Sequence, residues 1–285
     1  MLKNLNTGAI GVKATLAEQV AYAQAHGFQS IDFSINEAQQ VAVERGVNAV
    51  RDLFASAEVL PGSWAFPVEF RRDEATWQRD IAALPKQAEL AVQLGCLRTA
   101  TWIMPCDNER DFRTNFNFHV ARLRPAAHIL QEQGIRFGLE FVGPKTLRTT
   151  RKYLFVYTVD GMMALCSALG TGNMGLLLDS FHLYTSHGTV ADVRMLSNAD
   201  IVSVHVNDAL TGKTVDEQLD NQRALPAETG VLDLTGFLQS VRDLHYDGPV
   251  TAEPFSQRLR ELSPAQAVAE TAASLNTIWQ QANLK

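Results

Sequence analysis

Four side chains that can ligate a metal each stand at the end of a short apolar segment of this 285-residue chain. They are Glu140 after Phe-Gly-Leu, Asp179 after Leu-Leu-Leu, His205 after Val-Ser-Val and Glu253 after Val-Thr-Ala. Gathering three carboxylates and an imidazole inside a protein carries a cost in desolvation and repulsion, which a divalent cation would offset. Oxygen ligands with one nitrogen suit Mn²⁺, Mg²⁺, Co²⁺ or Zn²⁺. We therefore predict one divalent metal ion, with Mn²⁺ preferred, held by all four residues.

Short apolar runs alternate along the chain with longer segments of helical periodicity, a pattern typical of repeated βα units. The predicted strands are 4–10, 30–33, 59–64, 97–103, 136–142, 174–179, 201–206 and 250–253. The predicted helices are 16–26, 41–56, 75–94, 112–133, 159–169, 190–195, 234–244 and 265–281. Since no Pro/Ser-rich linker interrupts these units, we predict a (β/α)8 TIM barrel, with residues 1–285 forming a single domain.

The barrel also predicts where chemistry takes place. In this architecture, ligand-binding residues lie at the carboxyl ends of the strands or in the loops after them. Glu140, Asp179, His205 and Glu253 close the fifth to eighth predicted strands, which are consecutive in the chain. We therefore expect the four side chains to meet at one mouth of the barrel.

Three segments resemble the xylose-isomerase-like sugar phosphate isomerase/epimerase superfamily. They are 138–143 (Gly-Leu-Glu-Phe-Val-Gly), 178–182 (Leu-Asp-Ser-Phe-His) and 223–234, which opens with Arg-Ala-Leu-Pro. Within the superfamily they are similar to the bacterial inosose (2-keto-myo-inositol) isomerases. The third segment departs from the usual Arg-x-x-Pro-Gly-x-Gly pattern, because Ala227, Glu228 and Thr229 precede Gly230. This departure predicts a changed substrate pocket and leaves the metal site untouched.

The resemblance implies a mechanism through an enediolate. The metal would hold a carbonyl and an adjacent hydroxyl of a polyol and acidify the C–H between them. Glu140 and Glu253 would lie on opposite sides of the substrate and act as general acid and base. Asp179 would be mainly a ligand, and His205 a ligand through a neutral nitrogen. Protonation of the neighbouring carbon gives isomerisation, whereas protonation of the opposite face of the same carbon gives epimerisation.

Four further residues are candidates for contacts with the substrate. The resemblance implies that His182 hydrogen-bonds a substrate oxygen, and Arg223 lies in a long loop from which it could reach hydroxyl groups. Trp64 and Trp102 lie near the ends of the third and fourth predicted strands, where aromatic faces often line sugar pockets. The alternative interpretations are a structural histidine, a solvated arginine and tryptophans that pack within loops.

Charge and cysteine content narrow the range of partners. A net charge of −6 without a basic stripe disfavours nucleic acid. Cys96, Cys106 and Cys166 are odd in number and form no CxxC pair, as expected for a reducing, cytoplasmic compartment. The longest uncharged run, 161–178, contains four glycines and makes a poor membrane span. We expect a small keto-polyol or sugar as the partner, and both a monomer and a homo-oligomer are compatible with the sequence.

Other activities use a similar site. A lyase of the inosose dehydratase type, or one that cleaves 3-keto C-glycosides, also begins with proton removal beside a carbonyl. An endonuclease-IV-like hydrolase would need more histidines at the strand ends, and a non-catalytic sugar- or metal-binding protein would not need paired glutamates. Lys213 is the only basic residue between Asp208 and Arg223, in the loop where barrels often bind phosphate. We therefore expect an unphosphorylated substrate.

Overall fold

The computed structural model describes residues 1–284, and its centre is a closed barrel of parallel strands. The barrel strands are β1 (Leu2–Leu5), β2 (Ser30–Phe33), β3 (Leu60–Ala65), β4 (Arg98–Ile103), β5 (Arg136–Phe141), β6 (Met174–Asp179), β7 (Ile201–Val206) and β8 (Pro249–Ala252). Each strand pairs with its neighbours in the chain, and β8 pairs with β1 to close the barrel. All these pairs are parallel, so the carboxyl ends share one mouth, as the predicted (β/α)8 TIM barrel requires.

Helices connect the strands and bury their apolar faces. They are α1 (Leu16–His26), α2 (Ile35–Arg45), α3 (Val47–Ser56), α4 (Glu74–Gln93), α5 (Phe112–Glu132), α6 (Lys145–Arg148), α7 (Val159–Leu169), α8 (Ser180–Thr185), α9 (Val190–Arg194), α10 (Leu234–Asp243), α11 (Gln257–Arg260) and α12 (Pro264–Gln281). In α5, the buried residues Leu123, Ala126, Ala127 and Leu130 have the spacing of one helical face. This spacing lets the helix cover the barrel while its other faces meet solvent.

The chain departs from the sequence prediction at two places in its first quarter. The predicted first strand, 4–10, ends already at Leu5, and Gly8–Ile10 forms a 3-10 turn. The predicted helix 41–56 is two helices, α2 and α3, separated at Gly46. Gly46 has φ 84° and ψ 154°, a backbone conformation that only glycine adopts readily, so a single helix cannot run through this position.

Short elements decorate the mouth of the barrel. Cys106–Asp107, after β4, pairs with Tyr153–Leu154 as a small antiparallel ladder, and α8 begins directly after β6. These elements are too short to show periodicity, and the sequence prediction did not include them. None of the helices formed by residues 1–284 has the length and apolar character needed to cross a membrane.

The register between neighbouring strands decides which side chains meet at the mouth. Trp102 of β4 lies opposite Glu140 of β5, and His205 of β7 lies opposite both Asp179 of β6 and Thr251 of β8. Residues paired in register point to the same face of a sheet. The barrel therefore holds these side chains in one layer on its inner face.

Candidate metal centre

The structure brings the four metal-competent side chains of the sequence analysis together. Glu140, Asp179, His205 and Glu253, hereafter the ligand cluster, each offer one ligand atom within 4.8 Å of the others. His205 Nδ1 lies 3.4 Å from Glu253 Oε2 and 3.8 Å from Glu140 Oε1. Side chains from β5, β6, β7 and the residue after β8 converge because successive strand ends share one mouth. This geometry permits the four side chains to bind one metal ion together, as the sequence predicts.

Two atoms of the ligand cluster are buried without a hydrogen-bond partner. These are Glu140 Oε1 and His205 Nδ1, and Glu140 and His205 are only 7% and 6% exposed. A buried polar atom without a partner costs stability unless a ligand satisfies it. A carboxylate oxygen and an imidazole nitrogen are both donors that divalent cations accept. The residues present therefore fit a divalent metal ion.

Arg223 is a buried cation of the protein that contacts the ligand cluster directly. It is 3% exposed, and its Nη1 donates to Asp179 Oδ2 at 2.9 Å and to Glu253 Oε2 at 3.0 Å. Two rings flank its guanidinium, those of Phe181 at 4.7 Å and Phe255 at 4.9 Å. Of the two interpretations of Arg223 left open by the sequence, the solvated one is wrong, because the loop folds this side chain onto the ligand cluster.

The two glutamates of the ligand cluster differ in their ionisation. Burial raises the pKa of Glu140 well above its usual range, and the charge of Glu253 raises it further. Burial acts on Glu253 in the same direction, but His205 and Arg223 outweigh it and lower the pKa of Glu253. Burial opposes protonation of His205, yet the charges of Glu253 and Glu140 raise its pKa to about 10. A divalent cation would compete with the protons on Glu140 and His205, because metal ligands must be deprotonated.

His182 lies at the edge of the ligand cluster. The backbone N–H of Gly143 faces its Nδ1 at 3.3 Å and a guanidinium N–H of Arg223 faces its Nε2, so a neutral ring accepts from only one of these two donors. That Nε2 lies 3.2 Å from Arg223 Nη2 and 3.8 Å from Glu140 Oε1. Burial lowers the pKa of His182 to about 3, so the ring is neutral near pH 7. The Nε2 edge of the ring faces Glu140 and Arg223.

Backbone and amide donors fix the orientation of Asp179. Its Oδ1 accepts from the N–H groups of Phe181 at 2.6 Å and His182 at 3.3 Å, which caps the first turn of α8. The Nδ2 of Asn207 donates to both carboxylate oxygens, at 3.4 and 3.3 Å. These contacts leave little freedom for the carboxylate. Asn207 thus helps to hold the carboxylate of Asp179.

Two aspartates in or near the loop after β7 support the site. Asp208 is fully buried, and its carboxylate accepts from the backbone N–H groups of Ala209, Thr229, Gly230 and Leu232. It thereby fixes the loop that carries Arg223. Asp220, which sequence reasoning missed, accepts from Arg223 Nη2 at 2.9 Å. An isolated aspartate in a polar loop gives no periodic or motif signal, so only the folded structure identifies this partner.

The two tryptophans predicted to contact substrate lie in different environments. Trp102 is 44% exposed and lies opposite Glu140 in the register of β4 and β5. Trp64 is 1% exposed and belongs to the hydrophobic core. Its role in substrate binding stays a prediction, as does that of Trp102. The guanidinium of Arg71 lies 4.2 Å from the ring of Trp102, a neighbour that no sequence pattern indicates.

Comparison with known proteins finds sequence relatives that match most of this chain. The sequence matches the family profile described as xylose isomerase-like TIM barrel over residues 20–278. An inosose isomerase from Halalkalibacterium halodurans is 22% identical over 264 residues, which cover 90% of this chain and 88% of the relative. A 3-dehydroshikimate dehydratase from Pseudomonas putida is 24% identical over 281 residues, which cover 97% of this chain and 42% of that protein.

Solved structures share the whole barrel. A xylose isomerase domain protein from Alicyclobacillus acidocaldarius superposes with a TM-score of 0.89 at 26% identity, covering 99% of both chains. The IOLI protein with a binding zinc atom has a TM-score of 0.78 at 18% identity and covers 98% of this chain and 99% of its own. The match to the family profile spans most of the sequence. The chain therefore belongs to the xylose isomerase-like TIM barrel family.

Proposed function

We propose that this protein is a divalent-metal-dependent isomerase or epimerase of a small keto-polyol or keto-sugar, similar in activity to the inosose isomerases. The observation that carries the proposal is the ligand cluster, in which two glutamates accompany an aspartate and a histidine. The sequence similarity of the chain to an inosose isomerase supports the proposed class of substrate. We further propose that residues 1–285 act as one catalytic domain in the cytoplasm, where the buried, unpaired cysteines would stay reduced.

The ligand cluster would hold the metal, with Mn²⁺ as the preferred ion. When bound, such an ion polarises a carbonyl oxygen and makes the neighbouring C–H more acidic. Glu140 comes from β5 and Glu253 from the end of β8, with β6 and β7 between them. The two carboxylates therefore approach a substrate in the mouth from different sides. One can take the proton from the carbon beside the carbonyl, and either can return it.

His182 and Arg223 would bind the substrate in this reaction. His182 directs its Nε2 edge towards Glu140, where a substrate oxygen gains negative charge as the proton leaves. Arg223 presents Nη2 beside the same ring nitrogen, at 3.2 Å. Both side chains are held by the protein before substrate binds, so little reorganisation is needed during the reaction.

A dehydratase is the second candidate function. The likeness to a 3-dehydroshikimate dehydratase favours it, because loss of a β-hydroxyl group starts from the same proton removal. The two reactions diverge only after that shared step. In an epimerase the same carbon is protonated again on its opposite face, and in an isomerase the neighbouring carbon is protonated. In a lyase a hydroxyl group leaves instead and a conjugated product forms.

The experiment that tests the proposal is proton exchange in D₂O. A panel of keto-polyols and ketoses is incubated with the Mn²⁺-loaded protein, and deuterium at the carbon beside the carbonyl is monitored by NMR. We expect exchange together with a new isomer or epimer, and loss of both in excess chelator. New ultraviolet absorbance from a conjugated product would assign a lyase. Full activity in excess chelator would contradict the proposal.

A further inference from the structure

A polar cleft opens on the mouth side of the barrel, beside the ends of β3 and β4. It is lined by residues from the loops after β3 and β4, from α5 and from the loop after α6, and encloses about 160 Å³. We call it the basic cleft, because its charged side chains are Arg71, Arg110, Arg151 and Asp107. Three guanidinium groups thus share the cleft with one carboxylate, which leaves a positive surplus.

The single carboxylate of the basic cleft is already satisfied. Asp107 Oδ2 accepts from Arg110 Nη1 at 3.2 Å, and Oδ1 accepts from the backbone N–H groups of Glu109 at 2.7 Å and Arg110 at 2.9 Å. The charge of Asp107 is therefore matched by Arg110. Arg71 and Arg151 remain as the surplus cations, and neither pairs with a carboxylate among residues 1–284.

Arg71 is a partly buried guanidinium that meets only neutral groups. Its Nη2 donates to Trp102 O and, at 3.4 Å, to Thr101 Oγ1, whereas its Nε is buried without a partner. Its guanidinium lies between two aromatic rings, 4.1 Å from Phe70 and 4.2 Å from Trp102. Stacking of this kind holds the group in place, and the N–H donors of Nη1, which have no partner among residues 1–284, are left to bind an anion.

Burial also weakens the hold of this arginine on its proton. It lowers the pKa of Arg71 to about 10, and the charge of Glu69 opposes this only in part. Burying a cation without an anion is unfavourable, whereas an anion in contact with it restores the balance. The basic cleft therefore has a guanidinium with an unpartnered donor as well as surplus charge.

The basic cleft adjoins the ligand cluster through one residue. Trp102 contacts Arg71 with its ring and lies opposite Glu140 in the strand register. Neighbouring strands are about 4.8 Å apart, so Trp102 joins Arg71 of the basic cleft to the strand that carries Glu140. A substrate of several carbons whose carbonyl is at the ligand cluster could place its far end at the basic cleft.

We propose that the basic cleft binds a small oxyanion, a carboxylate or a phosphate, carried by the substrate at the end remote from its carbonyl. The inference rests on the proposed function for the carbonyl end and adds a charged group at the other end. The expectation of an unphosphorylated substrate rests on the scarcity of basic residues in the loop after β7, which does not line the basic cleft. The cations of the basic cleft come from the loops after β3, β4 and α6 and from no linear motif.

Titration with inorganic phosphate tests the basic cleft without any turnover. Metal-free protein at low ionic strength is titrated by calorimetry, with Arg71→Met as the main variant and Arg72→Met, an exposed neighbour outside the cleft, as its control. We expect Arg71→Met to weaken phosphate binding by about ten-fold or more, because a charge-assisted pair of hydrogen bonds is lost. Arg151→Met, which removes an exposed side chain, should weaken it less while folding normally. Binding unchanged in both cleft variants, or absent up to ~20 mM phosphate, would overturn the proposal.

Kinetics then separate a group on the substrate from a free anion. A ketohexose, its terminal phosphate ester and its terminal carboxylic acid are compared with the Mn²⁺-loaded enzyme. We expect higher kcat/KM for at least one anionic form, and loss of that preference in Arg71→Met but not in Arg72→Met. Equal kcat/KM for all three, with phosphate binding that depends on Arg71, would mean that a free anion fills the cleft and would overturn the assignment to substrate. Exchange of none of them, even in D₂O, would contradict the proposed function, while the titration still decides whether the cleft binds oxyanions.

Discussion

The mouth of the barrel holds a buried arginine, Arg223, and a half-buried arginine, Arg71, in opposite electrostatic settings. Arg223 lies on the side of β6 to β8 and donates to Asp179, Glu253 and Asp220. Arg71 lies on the side of β3 and β4 and donates to neutral oxygens only. The first cation offsets repulsion among carboxylates of the protein. The second has no such partner among the residues that the structure describes, and this difference distinguishes a cation matched by the protein's own carboxylates from one that an anionic ligand can match.

The largest expected effect on stability comes from replacing Arg223, whose charge is matched by carboxylates of the protein. Arg223→Met should lower the free energy of unfolding of the metal-free protein by about 3–5 kcal/mol at pH 7, because buried carboxylates lose their cation. Urea denaturation monitored by circular dichroism measures this. Addition of Mn²⁺ should recover part of the loss, since the ion would again offset the charges of Asp179 and Glu253. A variant as stable as the wild type would show that Arg223 does not balance the ligand cluster.

The next effect concerns the two glutamates that share the ligand cluster with Arg223. Glu140→Gln and Glu253→Gln should each lower kcat by at least ~10²-fold, because an amide can still coordinate but cannot accept the substrate proton. His205→Ala should weaken metal binding more than either, since a ligand is removed outright. Steady-state kinetics with measured metal content separates the two effects. Near wild-type turnover in both Gln variants with metal bound would exclude proton transfer through these carboxylates.

These residues show what sequence could predict. Glu140, Asp179, His205 and Glu253 end apolar runs, so strand periodicity alone placed them at one mouth, and the structure brings them within 4.8 Å. The barrel itself was predictable from eight βα units. The contacts that hold the site come from long loops without periodicity, which is why the ion pairs of Arg223 and the loop contacts of Asp208 were not foreseen.

The basic cleft shows the other limit of sequence reasoning. Arg71, Arg110 and Arg151 are dispersed over 80 positions and belong to three loops, so no motif links them. Their proximity results from the tertiary fold. A glycine with unusual backbone angles, Gly46, likewise broke a predicted helix although the apolar pattern ran through it. Patterns along the chain thus predicted the elements and strand-end residues, but not the loops.

A smaller effect is expected for Arg71, the arginine without a carboxylate partner. Arg71→Met should leave the free energy of unfolding unchanged or raise it by up to about 1 kcal/mol, because a buried charge without a partner is replaced by an apolar chain. Urea denaturation at low phosphate is the appropriate measurement, with Arg72→Met as the control. A loss above about 2 kcal/mol would mean that Arg71 is structural after all.

The smallest effect lies in the loop that carries Arg223. Ala227 has φ +61°, in the left-handed region, where the related pattern of this family has glycine. Ala227→Gly should therefore raise the free energy of unfolding by about 0.5–1 kcal/mol, the relief of strain exceeding the added chain entropy. Ala224→Gly, at a residue without positive φ, should lower it instead. Equal changes in the free energy of unfolding for the two substitutions would contradict the claim that the backbone is strained at Ala227.

The most direct test of the account is to locate the metal. Crystals grown with Mn²⁺ and measured for anomalous scattering would show where the ion binds in the protein. We predict one peak at about 2.0–2.3 Å from atoms of Glu140, Asp179, His205 and Glu253, the distance range of such ligands. A Mn²⁺ peak elsewhere, or none at the ligand cluster in a protein that is active only with Mn²⁺, would contradict the central claim.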